Sequence, residues 1–275
     1  MQKSIDDVRK FWNANPLYTG EIDTPPDSKE FFDKTREIFI NDIFAGKLDD
    51  RFFPEGLENQ KLLDLGCGVG MWVAEFCLKG CRDVTGADLT PNSLKIARNR
   101  CAIYGLKATL VEENAEALSF PDGTFDHVNC SGVVHHTVHP EKAVSEIHRV
   151  IANNGTAMIS VYYKNFFLRN WGVLRYAGKV LSAFGAKLSG RGRDDIFATD
   201  DVNDLVRIYD GSENPIGLAY SDAEFRALLS PYFIIEETYL HFFPARSLPF
   251  PIPKFLHRFL DKHFGFMIFA TLRKI

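Results

Sequence analysis

Nowhere do the ~18 consecutive apolar residues that a bilayer-crossing helix needs occur in this chain. The start, Met1-Gln2-Lys3-Ser4-Ile5-Asp6-Asp7, also lacks the apolar centre of a secretory leader. A cytoplasmic protein is therefore expected, neither exported by that route nor membrane-spanning. A basic surplus is missing too. The 32 Lys+Arg and 36 Asp+Glu leave a net charge of −4, so the electrostatic footprint of a nucleic-acid binder is absent and no nucleic acid is expected as partner. Cysteine is scarce and odd in number. Cys67, Cys77, Cys81, Cys101 and Cys130 lack the density of a disulfide scaffold and read as reduced thiols. Cys77 and Cys81 have no second Cys/His pair at zinc-site spacing, so no metal is expected there. No repeat or low-complexity tract is apparent.

What is present suits a folded α/β protein. An apolar share of 45% with 25% charged residues excludes disorder as the dominant state, and 275 residues accommodate one core domain with a cap. Up to about Glu58 the pattern is helical. Asp6 to Asn13 and Ser28 to Phe44 carry apolar groups at helix spacing, separated by Pro25-Pro26. From Lys61 to Val161 strands (61–65, 83–87, 108–112, 125–131, 155–161) alternate with helices (near 70–79, 91–104, 140–150), the pattern of a parallel sheet covered on both faces. Thr90 reads as an N-cap before Pro91, and Asn153-Asn154-Gly155 as a turn.

The rhythm breaks over 164–231, where Ser189-Gly190-Arg191-Gly192-Arg193-Asp194-Asp195 precedes a helix opened by the capping box Ser221-Asp222-Ala223-Glu224. Strands at 233–240 and 266–273, separated by a proline-punctuated excursion containing a helix, end the chain. The expected organisation is an N-terminal helical cap (1–58), a ligand-binding core (59–163), an insertion serving as a substrate lid (164–231) and the last strands of the core (232–275).

The most informative stretch is Lys61-Leu62-Leu63-Asp64-Leu65-Gly66-Cys67-Gly68-Val69-Gly70, a strand running into a glycine turn. Glycines there let backbone approach a ligand, and an acid ending the next strand, Asp88, is placed to accept hydrogen bonds from ribose hydroxyls. The spacing is G-x-G-x-G rather than the dinucleotide G-x-G-x-x-G, and Asp64 lies inside the strand, where a carboxylate needs a backbone or cationic partner.

Leu63 to Gly70, then Gly86-Ala87-Asp88-Leu89-Thr90, Glu113-Asn114-Ala115-Glu116-Ala117-Leu118, Phe125-Asp126-His127-Val128 and Ser131-Gly132-Val133-Val134-His135-His136 follow one another at successive strand ends. In this order, over about 60 to 162, the chain resembles class I S-adenosylmethionine-dependent methyltransferases. The resemblance implies a Rossmann-like three-layer sandwich with a mostly parallel seven-stranded sheet whose last strand is antiparallel. It implies S-adenosyl-L-methionine as cofactor, with Gly66, Cys67, Gly68 and Gly70 around its methionine portion and Asp64 near its amino group. It gives Asp88 the ribose hydroxyls, Leu89 the adenine face, Asn114, Ala115 and Glu116 the adenine edge, and Ser131 with Gly132 the methionine side.

Methyl transfer asks mainly for alignment, plus a base where the acceptor is protonated. His135 and His136 are the candidates, with Tyr163 beside them; the alternative is a loop-shaping role for the pair. Together with His139 they lack a carboxylate partner for a metal. Trp12, Tyr18, Tyr162 and Tyr220 are candidates for lining the acceptor site, or pack the lid; Arg193 suits an anionic acceptor, or belongs to a solvated loop. A small-molecule acceptor is expected. No Asn/Asp-Pro-Pro-Tyr/Phe sequence of the kind associated with methylating exocyclic amines of bases is present. Three other readings stand beside it: a quinone- or lipid-precursor methyltransferase, another reaction of the same sulfonium such as cyclisation or alkyl transfer, and a non-catalytic binding module. The basic and aromatic stretch from Arg246 to Phe264 either meets a membrane surface or packs as a cap helix or homodimer contact.

Overall fold

Every residue of Leu62 to Leu65 is buried, because helices cover both faces of the strand they form. The computed structural model describes residues 3–19, 22–183, 196–248 and 250–275. In chain order the elements are α1 (Ile5–Ala14), α2 (Lys29–Phe44), β1 (Lys61–Leu65), α3 (Met71–Leu78), β2 (Asp83–Asp88), α4 (Pro91–Tyr104), β3 (Thr109–Glu112), β4 (Phe125–Ser131), α5 (Pro140–Val150) and β5 (Ile151–Tyr163). They continue with α6 (Phe166–Arg169), α7 (Trp171–Ala183), α8 (Val202–Asp210), β6 (Ala219–Tyr220), α9 (Asp222–Leu229), β7 (Phe233–His241), α10 (Lys254–Phe264) and β8 (Met267–Lys274).

The sheet runs β3-β2-β1-β4-β5-β8-β7, with the two-residue β6 pairing beside the end of β5. β1 to β5 pair in parallel, and β8 lies antiparallel between β5 and β7. This is the expected sheet with one short strand added. The order reverses between β1 and β4, which opens a crevice at their carboxyl ends. Strand alternation divides the core. Leu62, Met158 and Tyr162 join the layer under α2, α3 and α4, whereas Leu63, Leu65 and Ile159 join the layer under α5 and α9.

Two local expectations are corrected. Asn153-Asn154-Gly155 is not a turn between elements; it lies inside β5 as a bulge, with Asn154 at φ 63° and the pairing with β4 slipping between Phe125 and His127. Thr90 occupies the N-cap position of α4, but its hydroxyl makes no cap and donates to Asp88 Oδ1 at 2.7 Å. The capping box at Ser221 and Glu224 forms, and α1 opens on another from Ser4 and Asp7.

The N-terminal helices are fastened to the core by charge. Arg36 of α2 forks onto the buried Glu75 of α3 at 2.5 and 3.0 Å. His241 at the end of β7 bridges Asp261 of α10 (2.6 Å) and Asp49 (2.9 Å), tying three segments together. Burial opposes the charge on His241, but the two carboxylates outweigh it and raise its pKa.

Candidate active site

A cavity of about 310 Å³ sits in the crevice at the carboxyl ends of β1, β2 and β4, roofed by α1 and the residues after it. Its floor is the glycine turn. Gly66, Gly68 and Gly70 have φ of +72°, +51° and +76°, a region that favours glycine. Beyond that they differ. A Cβ on Gly66 would lie 2.2 Å from Val133 Cγ2, and one on Gly70 would lie 2.9 Å from Ala97 Cβ, whereas one on Gly68 would meet nothing within 4 Å. Gly66 and Gly70 thus let the turn pack against the protein, and Gly68 borders open space. The turn is braced from behind. Gly66 and Cys67 donate N–H bonds to Ala87 O at 2.7 and 2.9 Å, and the buried Arg100 donates to Val69 O at 2.9 Å and to Thr35 Oγ1 at 3.2 Å.

Asp88 ends β2 beside this floor. Its Oδ2 accepts from Gly68 N at 2.8 Å, and its Oδ1 accepts from the N and Oγ1 of Thr90 at 2.9 and 2.7 Å. Burial raises its pKa, against the lowering effect of those donors. Leu89, Asn114 and Ala115 continue the wall on one side, and Ser131 and Gly132 on the other, where Ser160 Oγ receives the Gly132 N–H at 3.0 Å. Gly66, Gly68, the Asp88 acid and the open space over Gly68 are compatible with S-adenosylmethionine, which the resemblance implies. Gly70, Glu116 and Asp64 stand off the wall. Gly70 is the N-cap of α3, and Glu116 Oε1 accepts from Val138 N at 2.7 Å, bracing the loop after β4.

Asp64 lies beneath the turn with Oδ1 accepting from Asn129 Nδ2 at 2.7 Å and Oδ2 without a partner. Burial pushes its pKa up to about 7, with the nearby Asp88 adding to the rise and Asn129 opposing it. Since the folded value lies above the unfolded one, Asp64 costs stability as pH rises from about 4 to about 7. The amino group that the resemblance puts near Asp64 would favour the carboxylate and expel that proton. Affinity for S-adenosylhomocysteine is therefore expected to strengthen from about pH 6 to about pH 8 and to level off in Asp64→Asn. Equal pH dependence of the two proteins by calorimetry would contradict the placement.

The other half of the cavity is aromatic. Trp12 of α1 meets the His136 ring edge-on at 5.0 Å, His135 lies 4.1 Å from His136 and 4.5 Å from Tyr162, and Tyr209 joins Tyr162 to Phe242. Tyr18 is buried in the same wall. The two histidines are not equivalent. Burial, and then His136, hold the pKa of His135 well below its ordinary range, so it is a neutral ring, and its Nδ1 has no partner. His136 Nδ1 sits 2.7 Å from Ile216 O, which only accepts, so that nitrogen carries a proton. Its Nε2 faces Asp210 Oδ2 at 3.4 Å, while Asp210 Oδ1 accepts from Tyr162 Oη at 2.8 Å.

Tyr163 and Tyr220 do not line the cavity. Alternation along β5 sends Tyr163 to the opposite face from Tyr162, where its hydroxyl lies 3.2 Å from Arg169, and Tyr220, its partner in β6, packs toward Phe225. Arg193 lies outside the described residues. Tyr209, an aromatic of the insertion that the sequence also offers for this site, does line the cavity, whereas Asp210, Phe242, the Arg246–Asp42 ion pair (2.9 Å) at the cavity wall, Thr90 and Arg100 were missed in the sequence. No motif marks Asp210; only its place at the end of an amphipathic helix in the insertion hinted at a site residue.

A profile of the methyltransferase domain family matches residues 63–159. The chain is 30% identical to a demethylmenaquinone methyltransferase of Thermus thermophilus, the match covering 46% of this chain and 68% of that enzyme. It is also 30% identical to a ubiquinone biosynthesis O-methyltransferase of Pectobacterium carotovorum, over 46% of this chain and about half (52%) of that relative. A crystal structure of a methyltransferase from Methanosarcina mazei shares the fold at TM-score 0.56, with 20% identity, covering 82% of this chain and 95% of that one. Sheet order, glycine turn and these likenesses agree: the chain belongs to the class I S-adenosylmethionine-dependent methyltransferases.

Proposed function

We propose that the protein methylates a hydroxyl oxygen on an apolar, ring-bearing small molecule, with His136 as proton acceptor. The observation that carries this reading is the 2.7 Å contact of His136 Nδ1 with Ile216 O: a carbonyl only accepts, so Nδ1 donates there, and Nε2 is the nitrogen of this ring that would take the acceptor's proton. S-Adenosylmethionine supplies an electrophilic methyl group on a sulfonium. Gly66, Cys67 and Gly68 would hold its methionine portion, Asp88 its ribose, and Leu89, Asn114 and Ala115 its adenine. Trp12, Tyr18, Tyr162, Tyr209 and Phe242 offer ring faces and edges to an apolar acceptor and keep water out. As the acceptor oxygen takes the methyl, its proton passes to His136 Nε2, and the Asp210 carboxylate 3.4 Å away stabilises the imidazolium that forms.

One of the relatives is by name an O-methyltransferase of ubiquinone biosynthesis, and the aromatic wall would suit a quinone precursor. Formation of S-adenosylhomocysteine, followed with a panel of phenolic and tertiary-amine acceptors, tests the reading. Turnover with phenols supports it. Turnover confined to amines, which have no proton to lose, overturns it.

A further inference from the structure

Two helices turn apolar groups outward. On α10, Phe255 (75% exposed) and Phe259 (52%) stand one turn apart, with Phe250 exposed just before the helix. On α7, Val173 (77%), Tyr176 and Val180 follow at i, i+3 and i+7, a single exposed stripe. The opposite sides of both helices are already used. Trp171 and Gly178 of α7 pack on Phe197, while Asp261 of α10 receives His241 and His257 reaches Phe243 O at 2.9 Å. The stripes adjoin. Phe264 at the end of α10 lies 6.5 Å from Phe259 and 6.3 Å from the exposed Phe166 that opens α6, and Val173 and Leu174 bond to Asn170 O, so the helical path runs from α6 directly into α7.

The formal charges that α10 turns to solvent are basic, while at α7 the exposed Asp200 pairs with Arg175 beside Tyr176. Lys254, Arg258, Lys262 and His263 are exposed on α10, and its one acid, Asp261, is buried. Lys179 is exposed on α7, whose Arg175 is paired with Asp200. In a chain of net charge −4 this is a local basic field around exposed aromatics. No helix among the described residues is long and apolar enough to cross a membrane. We propose that the α10 and α6–α7 face is a peripheral docking surface for an anionic lipid bilayer, the aromatics entering the acyl boundary and the lysines and arginine meeting the headgroups. The segment between β7 and α10 carries Phe242 and Arg246 of the cavity wall, so a docked α10 sets the acceptor cavity close to the bilayer. The proposal does not depend on the acceptor atom.

Co-sedimentation of the full chain with phosphatidylcholine vesicles, with and without about one third phosphatidylglycerol, tests it. Binding is expected with the anionic lipid, weakened about tenfold or more by Phe255→Ser with Phe259→Ser, and weakened by salt or by Lys254→Gln with Arg258→Gln and Lys262→Gln. Tyr176→Ser with Val180→Ser is a second variant in case the first folds poorly. Affinity for S-adenosylhomocysteine is expected to stay unchanged in each, which separates loss of docking from loss of the catalytic reading. Absence of vesicle binding by the unaltered protein, or binding insensitive to all these changes, overturns the proposal. So does sedimentation equilibrium showing a dimer that Phe255→Ser with Phe259→Ser dissociates, since a second copy would then occupy the face.

Discussion

His136→Ala is expected to lower kcat by about 10²–10⁴ with a phenolic acceptor, the range that positioned proton transfer supplies. The loss should appear equally in kcat and kcat/KM, because accepting the proton matters only as the methyl moves. Affinity for S-adenosylhomocysteine should barely change, since no His136 hydrogen bond braces the glycine turn or Asp88. Asp210→Asn should reduce kcat less, because it removes the charge facing Nε2 while leaving the bond from Nδ1 to Ile216 O in place. His135→Ala separates the two rings: a neutral, buried His135 acts through packing, so its loss should raise KM and lower stability before it lowers kcat. Steady-state kinetics on the three variants reads this directly. A kcat for His136→Ala within about threefold of the unaltered protein would leave the histidine pair only the role of shaping the loop.

Gly66→Ala is expected to destabilise the fold by about 2–5 kcal/mol, combining a left-handed backbone that alanine resists with a methyl driven into Val133. Against the ~5–15 kcal/mol of a typical domain this is large, and urea denaturation would show it as a fall in midpoint. Gly68→Ala provides the contrast. Its backbone cost is about 1–2 kcal/mol, but the added methyl meets no protein atom and projects into open space. There the loss should fall on ligand affinity, by about tenfold or more, with stability little changed beyond the backbone cost. The reverse ordering, with Gly68→Ala as the less stable variant and Gly66→Ala as the weaker binder, would refute the division of labour drawn for the turn.

The glycine turn and the acid that follows it were legible because what they do is carried by backbone. A turn that must approach a ligand requires glycine, a ribose contact requires an acid at a strand end, and both requirements sit within a few residues in sequence, as in Gly66 to Gly70 and Asp88. The aromatic half of the cavity is assembled from distant segments. Trp12, His136, Tyr162 and Asp210 come from α1, the loop after β4, β5 and the insertion, so no local spacing announces their meeting. Tyr162 and Tyr163 were indistinguishable as neighbours until strand alternation put them on opposite faces. The turn expected at Asn153-Asn154-Gly155 shows the same limit. Those residues favour a left-handed backbone, and a bulge within a strand uses that preference as well as a turn does. Thr90 likewise has the composition of a cap, but the carboxylate two residues earlier claims its hydroxyl.

The most direct measurement is calorimetric titration of the protein with S-adenosylhomocysteine, compared with Asp88→Ala. One site per chain is expected, with affinity weakened by about 1–3 kcal/mol in the variant, through loss of the ribose acceptor and of the brace on Gly68 N. Binding that is absent in the unaltered protein, or equally tight in Asp88→Ala, would contradict the assignment of this crevice to the methyl donor.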